Sequence, residues 1–440
     1  MAATASSSAF PLQGVTIFQL RALCQVLWDW DLCEDCQNPR NSPLQQCRAA
    51  QCPWGQRSER LEPFFDLYRD VTGSYVPDFF GDEDQALRNH QDLSDIILLL
   101  RQKGATLSRN ECKYDYFTSR GNDETTIPQS DQDRAFDLVA RVMTMAKVNS
   151  SEYDQDDDVV FTSRDEEDQQ GQKLLSPPFI WPPEKSLQMA LADSFPVRVH
   201  PSLQDNDSQA KNIKARLTAV NLTRIARLKI EGTNDLQHHL RLDQATGVVQ
   251  VFHFTSVLKE HLLATKPDVN RRRRSNDSDG QEKAPSSCLP RPIALETLYS
   301  IQLLFPRDEK SQALLRNLVS KHGFDPDCLR FGTAPFECRA PLPRRPSDGV
   351  ITETVVDEKH QALRYPIWGS RLMDLFDEIE NPKPRGLLDA WLERRSKSRH
   401  VMLATLAGVA AAVLLGLLSL IVSVFQAWVA WQQWKSQNGP

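Results

Sequence analysis

From Val401 to Trp434 the chain carries no charged side chain, and four bases, Arg394, Arg395, Lys397 and Arg399, stand just before that run. A stretch this long and this apolar constrains the molecule more than any other feature. Its core, Val401 to Phe425, holds 25 residues. As a helix rising about 1.5 Å per residue it would span roughly 37 Å, and a hydrocarbon layer about 30 Å thick accommodates that length with some tilt. Fourteen of the 25 are Leu, Ile, Val or Phe. At about −0.3 to −0.6 kcal/mol each, they favour insertion by on the order of 6 kcal/mol. The expectation is one transmembrane helix with an interfacial belt over 400–431 and a short tail over 432–440, set against the alternative of a buried helix in a soluble core.

Charge orients the span. Only Lys435 follows it, so the positive-inside rule places residues 1–399 in the cytosol. Trp428, Trp431 and Trp434 recur every third residue beyond the apolar core, where indole rings suit the headgroup level. Met1 to Leu20 contains no Lys or Arg and no long apolar run, so no signal peptide is expected. About fifteen residues follow Phe425, and the layout resembles that of tail-anchored proteins inserted after translation. The sequons at Asn149, Asn206, Asn221 and Asn276 are then expected to stay unglycosylated. An endomembrane and the plasma membrane both fit. Ala404, Gly408, Ala412 and Gly416 fall on one helix face at a spacing that lets two helices approach closely, which suggests a homodimer; small residues are also simply common in membrane helices.

The apolar fraction is 40%, and 27 Pro outnumber 18 Gly. Globular domains are typically about 45–50% apolar, so much of the chain should be loop. The expected fold is mainly α with a few short strands: a helical cytosolic region, one C-terminal transmembrane helix and long disordered linkers. Apolar spacing predicts helices over 14–32, 84–103, 131–146, 256–264, 293–304, 308–321 and 370–380, and a strand over 248–254. Gly104 and Gly323 sit where helices 84–103 and 308–321 should stop. Composition divides the chain into an N-terminal helical region with a cysteine cluster (1–148), an acidic and Pro-rich linker (149–185), a middle α+β region (186–265), a basic and polar linker (266–291), a helical pair (292–338), a Pro-rich linker (339–350) and a juxtamembrane helical segment (351–399).

The net charge of −6 conceals an asymmetry: residues 121–170 carry −10 and the remainder +4. No basic nucleic-acid surface is expected. Nine cysteines in a cytosolic region should be reduced thiols.

Three stretches, DLQHHLRLD (235–243), LLRNLVSKHGFDPDCLRF (314–331) and LMDLFDEIENPKPRGLLDAWLERRS (372–396), together with the QAWVAWQQWK ending of the anchor, resemble a group of C-terminally anchored proteins from filamentous fungi. The likeness covers about half the chain. It implies architecture and source, and it transfers no activity and no catalytic residue.

Among constellations that carry chemistry, the sharpest is Cys33-Glu-Asp-Cys36 followed by Cys47 and Cys52. Structural zinc takes four thiolates in a tetrahedron, supplied as two pairs from tight turns. The first pair has that spacing; the second is wider, with four residues between. Zinc binding, reduced structural thiols and a redox CxxC pair are the three readings of these positions. His238, His239, His253 and His261 lie within 24 residues but lack the HExxH spacing that aims two imidazoles at one metal, so structural histidines are expected. Asp154, Asp156, Asp158 and Asp165 mimic ligand positions of a calcium loop, with Val159 where the sharp turn needs Gly. Arg271 to Arg274, next to Ser275 and Ser278, suit an acidic-lipid contact, a localisation signal, a kinase site or a solvated linker. No Walker A loop, GxGxxG or GxSxG occurs, and no catalytic residue is assigned. The reading is a membrane-anchored scaffold or adaptor for cytosolic protein partners, or alternatively a membrane-tethered zinc module or an enzyme with an unrecognised active site.

Overall fold

Helix signals and buried apolar faces coincide through the first third of the chain. The computed structural model describes residues 10–37, 47, 49, 51–77, 85–120, 127–148, 179–204, 208–265, 289–332, 365–382 and 399–437. Helix α1 (Ile17–Trp28) opens with a capping box between Thr16 and Gln19, buries Leu20, Leu23, Cys24 and Leu27, and stops at Asp29, whose φ of 53° is left-handed. Short α2 (Glu34–Gln37) and α3 (Pro53–Arg57) lead through a 3₁₀ turn into α4 (Glu62–Gly73). Then come α5 (His90–Lys103), capped by Asn89, α6 (Arg109–Ser119), whose capping box pairs Ser108 with Glu111, and α7 (Gln129–Thr144). Helix α5 packs against α1, α6 and α7, and α4 against α7.

The next stretch alternates short helices with a small sheet. Helices α8 (Leu187–Ser194), α9 (Pro201–Gln204), α10 (Ser208–Arg216) and α11 (Ala219–Arg224) precede strands β1 (Lys229–Thr233), β2 (Arg241–Asp243) and β3 (Val248–Phe252). Strand β3 is central, parallel to β1 with Lys229 opposite Val248, and antiparallel to β2 with Leu242 opposite Val249. The β2–β3 turn forms because the Asp243 carboxylate accepts from the Ala245 amide (2.9 Å) and Gly247 supplies a φ of +70°. Helices α12 (Thr255–Ala264) and α13 (Arg291–Leu304) pack on each other, followed by α14 (Glu309–His322) and α15 (Gly369–Glu380).

One apolar core runs through all of these elements, and residues 1–381 form one compact unit. Specific polar contacts tie distant segments together. The Trp30 indole N–H donates to Glu260 (3.1 Å), the Phe179 amide to Gln237 (2.9 Å) and the Leu236 amide to the Met145 carbonyl (2.7 Å). Glu296 accepts the amides of Ile367 (2.9 Å) and Trp368 (2.6 Å), and so caps the entry to α15.

The second unit contains α16 (Arg399–Gln437), 39 residues long. Its most apolar 18-residue stretch between Thr405 and Ser436 has a mean hydropathy of 2.6, and every side chain from Thr405 to Ser436 is exposed apart from half-buried Val429. A core helix would hide those leucines against neighbours; this one presents them on all sides, as a helix surrounded by lipid does. It is long and apolar enough to cross a membrane.

The mainly helical fold with few strands agrees with the sequence reading. Three details differ. Helix α5 starts at His90 because Asn89 accepts from the amides of Gln91 and Asp92. Strand β3 ends at Phe252, leaving His253 beyond it. Helices α2, α3, α4, α6 and α8 to α11 and strands β1 and β2 are not among the elements the sequence pattern predicts. The acidic residues Asp154, Asp156, Asp158 and Asp165, the run Arg271–Arg274, the sequons at Asn149, Asn206 and Asn276, the Pro-rich 339–350, and Arg394, Arg395 and Lys397 lie outside the described residues.

Candidate metal centre

Two turns bring the four cysteines together. In the first, the amides of Cys36 and Gln37 both donate to the Cys33 carbonyl (2.9 and 3.1 Å), and the Gln37 side-chain amide donates to the Leu32 carbonyl (2.7 Å). One turn of helix thus sets Cys33 and Cys36 side by side. In the second, the Cys52 amide donates to the Ala49 carbonyl (3.1 Å), and α3 begins at once with Pro53 in its first turn. Cys47 reaches the cluster from before that turn.

The four sulfurs all lie within 4.8 Å of one another. Cys33 Sγ is 3.5 Å from Cys47 Sγ, and Cys52 Sγ is 3.9 Å from Cys36 Sγ. A tetrahedral site with bonds of about 2.3 Å to each sulfur has edges of about 3.8 Å. The observed contacts bracket that value, and these cysteines are free thiols. The arrangement could hold a metal ion.

Four neighbouring residues shape the cluster and its attachment. Gly55 lies so close to Cys47 that a Cβ on it would meet the Cys47 carbonyl oxygen at 2.7 Å. Trp54 is buried, stacked on Phe65 at 5.8 Å, and covered by the Arg21 guanidinium 5.1 Å from its ring. Arg21, itself buried on α1, places its positive charge near Cys36 and so favours a thiolate there. Arg57, at the end of α3, pairs with buried Glu260 at 3.0 Å; this joins the knuckle to α12.

The thiols are electrostatically unequal. Burial pushes Cys52 up, but the amides of Cys33 and Trp54 and the thiols of Cys47 and Cys33 outweigh it, leaving Cys52 lowered to about 7. Burial, reinforced by the thiols of Cys47 and Cys33, pushes Cys36 well above the usual thiol range. Crowded sulfurs favour one thiolate shared among thiols, and a divalent cation at the centre would stabilise all four as thiolates.

The histidines are not brought together. His239 is fully buried; its Nδ1 accepts the Phe252 amide (3.1 Å) and its Nε2 contacts Ser300 Oγ (2.7 Å). His253 Nδ1 accepts the Asp325 amide (3.2 Å) between the rings of Phe254 and Phe324. His261 meets the edge of Trp28 at 6.0 Å, and His238 sits by Arg241 at 3.0 Å. Burial lowers His253 to about 4, and burial with the Arg101 cation lowers His261 to about 3, so both are neutral packing groups. Among the described residues, the four cysteines are the group placed to bind a metal.

The sequence reading gives no role to Arg21 or Gly55. Arg21 neighbours the apolar stripe of α1 and looks like an ordinary surface base. Gly55 is conspicuous as a glycine inside a helical turn beside the last cysteine, which is the signal that could have drawn attention to it.

Compared with known protein families, curated proteins and solved structures, the chain matches none.

Proposed function

We propose that this protein is a single-pass membrane scaffold whose N-terminal unit is stapled by one zinc ion on Cys33, Cys36, Cys47 and Cys52. The observation that carries the reading is the convergence of four sulfurs within 4.8 Å of one another, two of the separations, 3.5 and 3.9 Å, standing close to a tetrahedral edge. Four thiolates complete the coordination of zinc and leave no position for water or substrate, which makes the site structural. Such a centre holds surfaces in place for partners.

The bases Arg394, Arg395, Lys397 and Arg399 against Lys435 support a cytosolic unit 1–381 and a membrane-crossing α16. On this reading the anchor fixes the scaffold at the bilayer, and the zinc knuckle, tied to α12 through Arg57 and Glu260, keeps the first third of the chain docked on the rest.

The test is metal analysis of the full-length chain purified in detergent under thiol reductant. One zinc per chain, lost in Cys52→Ser, is the expected result. A wild-type chain free of zinc, and unable to take it up at micromolar concentration, overturns the metal reading. Crosslinked purification from membranes beside an anchor-only control tests the scaffold. Partners recovered near one-to-one only with residues 1–399 support it; recovery of the protein alone counts against it.

A further inference from the structure

The four sulfurs are not equivalent in exposure. Cys36 and Cys52 are 2% and 3% exposed, whereas Cys33 and Cys47 are half-buried and so the more exposed pair. That pair is also the closer one, at 3.5 Å against 3.9 Å for Cys36 and Cys52. A disulfide needs about 2.05 Å between sulfurs, so closing Cys33 onto Cys47 asks for a movement of about 1.5 Å. Cys33 stands just before α2 and Cys47 before the turn that leads into α3, and both lie at the edge of the core, half-buried, rather than inside it as Cys36 and Trp54 do.

We propose that Cys33 and Cys47 form a site of reversible oxidative modification, in which a peroxide converts the metal staple into a disulfide staple. The proposal rests on the zinc reading above and names its regulation. Hydrogen peroxide is the oxidant. One thiolate of the pair attacks it, taking up a proton, to give a sulfenic acid and one water. The second thiolate displaces the sulfenic oxygen, with another proton, to give the Cys33–Cys47 disulfide and a second water. Two electrons pass from the sulfurs to the peroxide. The metal keeps only Cys36 and Cys52 of its four ligands and is released.

The choice of pair has a structural consequence. Cys33 belongs to the turn after α1 and Cys47 to the segment before α3, so the disulfide links the same two segments that the metal links. Oxidation exchanges one crosslink for another, and the contacts of Trp54 with Phe65 and of Arg57 with Glu260 persist. A pairing of Cys33 with Cys36 would lie within one turn and leave the two segments untied.

The experiment treats the full-length chain in detergent with hydrogen peroxide after zinc has been quantified. A chromogenic chelator reads zinc release, and peptide mass spectrometry without reductant maps crosslinks. The expected result is release of one zinc per chain together with a Cys33–Cys47 linked peptide, and recovery of the zinc complex after dithiothreitol and added zinc. Zinc retained at tenfold excess peroxide overturns the proposal, as does a dominant Cys33–Cys36 or Cys36–Cys52 crosslink. A chain isolated without zinc removes the metal reading instead, and the crosslink map of that same sample still decides the pair.

Discussion

Gly55→Ala tests the metal centre without touching a ligand. Two effects oppose each other. Alanine is the better helix former by about 1 kcal/mol, so in α3 alone the change would stabilise. The added Cβ, however, would stand 2.7 Å from the Cys47 carbonyl oxygen and 3.3 Å from the Cys47 Cβ. The obstructing atom is backbone, so relief to an ordinary contact requires Cys47 to retreat by about 0.5–0.7 Å. Metal–sulfur bonds tolerate about 0.2 Å, and overpacking of this kind costs about 1–3 kcal/mol. Overpacking wins, and zinc affinity should fall about 10- to 100-fold. Chelator competition on the full-length protein reads the affinity directly. Gly73→Ala serves as the control, because a Cβ there meets nothing within 4 Å, and it should bind zinc like wild type. Wild-type affinity in Gly55→Ala would refute the geometry on which the site rests.

Arg21→Met removes the buried cation beside Cys36 while keeping its packing on Trp54; zinc should bind about tenfold more weakly in the same competition assay, with thermal unfolding of the metal-free chain changed far less. Glu296→Gln addresses pH dependence. Burial raises Glu296 to about 7, against the opposing amides of Trp368 and Ile367. A folded-state value above the unfolded one, about 4.3, means that its contribution is full below pH 4.3 and is lost as pH rises through 7. Wild type should therefore lose on the order of 3 kcal/mol more than Glu296→Gln between pH 4.5 and 8, measured by denaturant unfolding. The lowered histidines His253 and His261 titrate identically in both proteins and cancel; equal pH slopes would refute the burial argument. Leu414→Arg with Leu418→Arg should move the chain out of the carbonate-resistant membrane fraction, since two central arginines cost about 5–7 kcal/mol against an insertion of about 6.

Local chemistry was legible wherever it was self-contained. The uncharged run of α16 announces a helix long and apolar enough to cross a membrane, because backbone hydrogen bonds and apolar side chains suffice for it. Gly323 stops α14 with a φ of +66°, as its position suggested, since only glycine takes that backbone at little cost. The four cysteines were legible as candidates because zinc constrains residue type and turn spacing.

Whether those thiols converge was a tertiary matter. The sequence between Cys36 and Cys47 puts no constraint on where the second pair lies; Gly55 admits Cys47 against α3, and Trp54 under Arg21 fixes α3 on the core. The four histidines show the converse, for they lie within 24 residues of sequence yet each is claimed by a different neighbour: Ser300, Asp325, Trp28 or Arg241. Strands β1 and β2 escaped notice because three- and five-residue strands take their stability from pairing with β3, which no local pattern encodes. Sequence alone determined a C-terminal helix long and apolar enough to cross a membrane, and the chemistry on offer. Only long-range packing decided which of those groups stand within bonding distance, because that depends on surfaces contributed by residues hundreds of positions apart, such as Arg57 and Glu260.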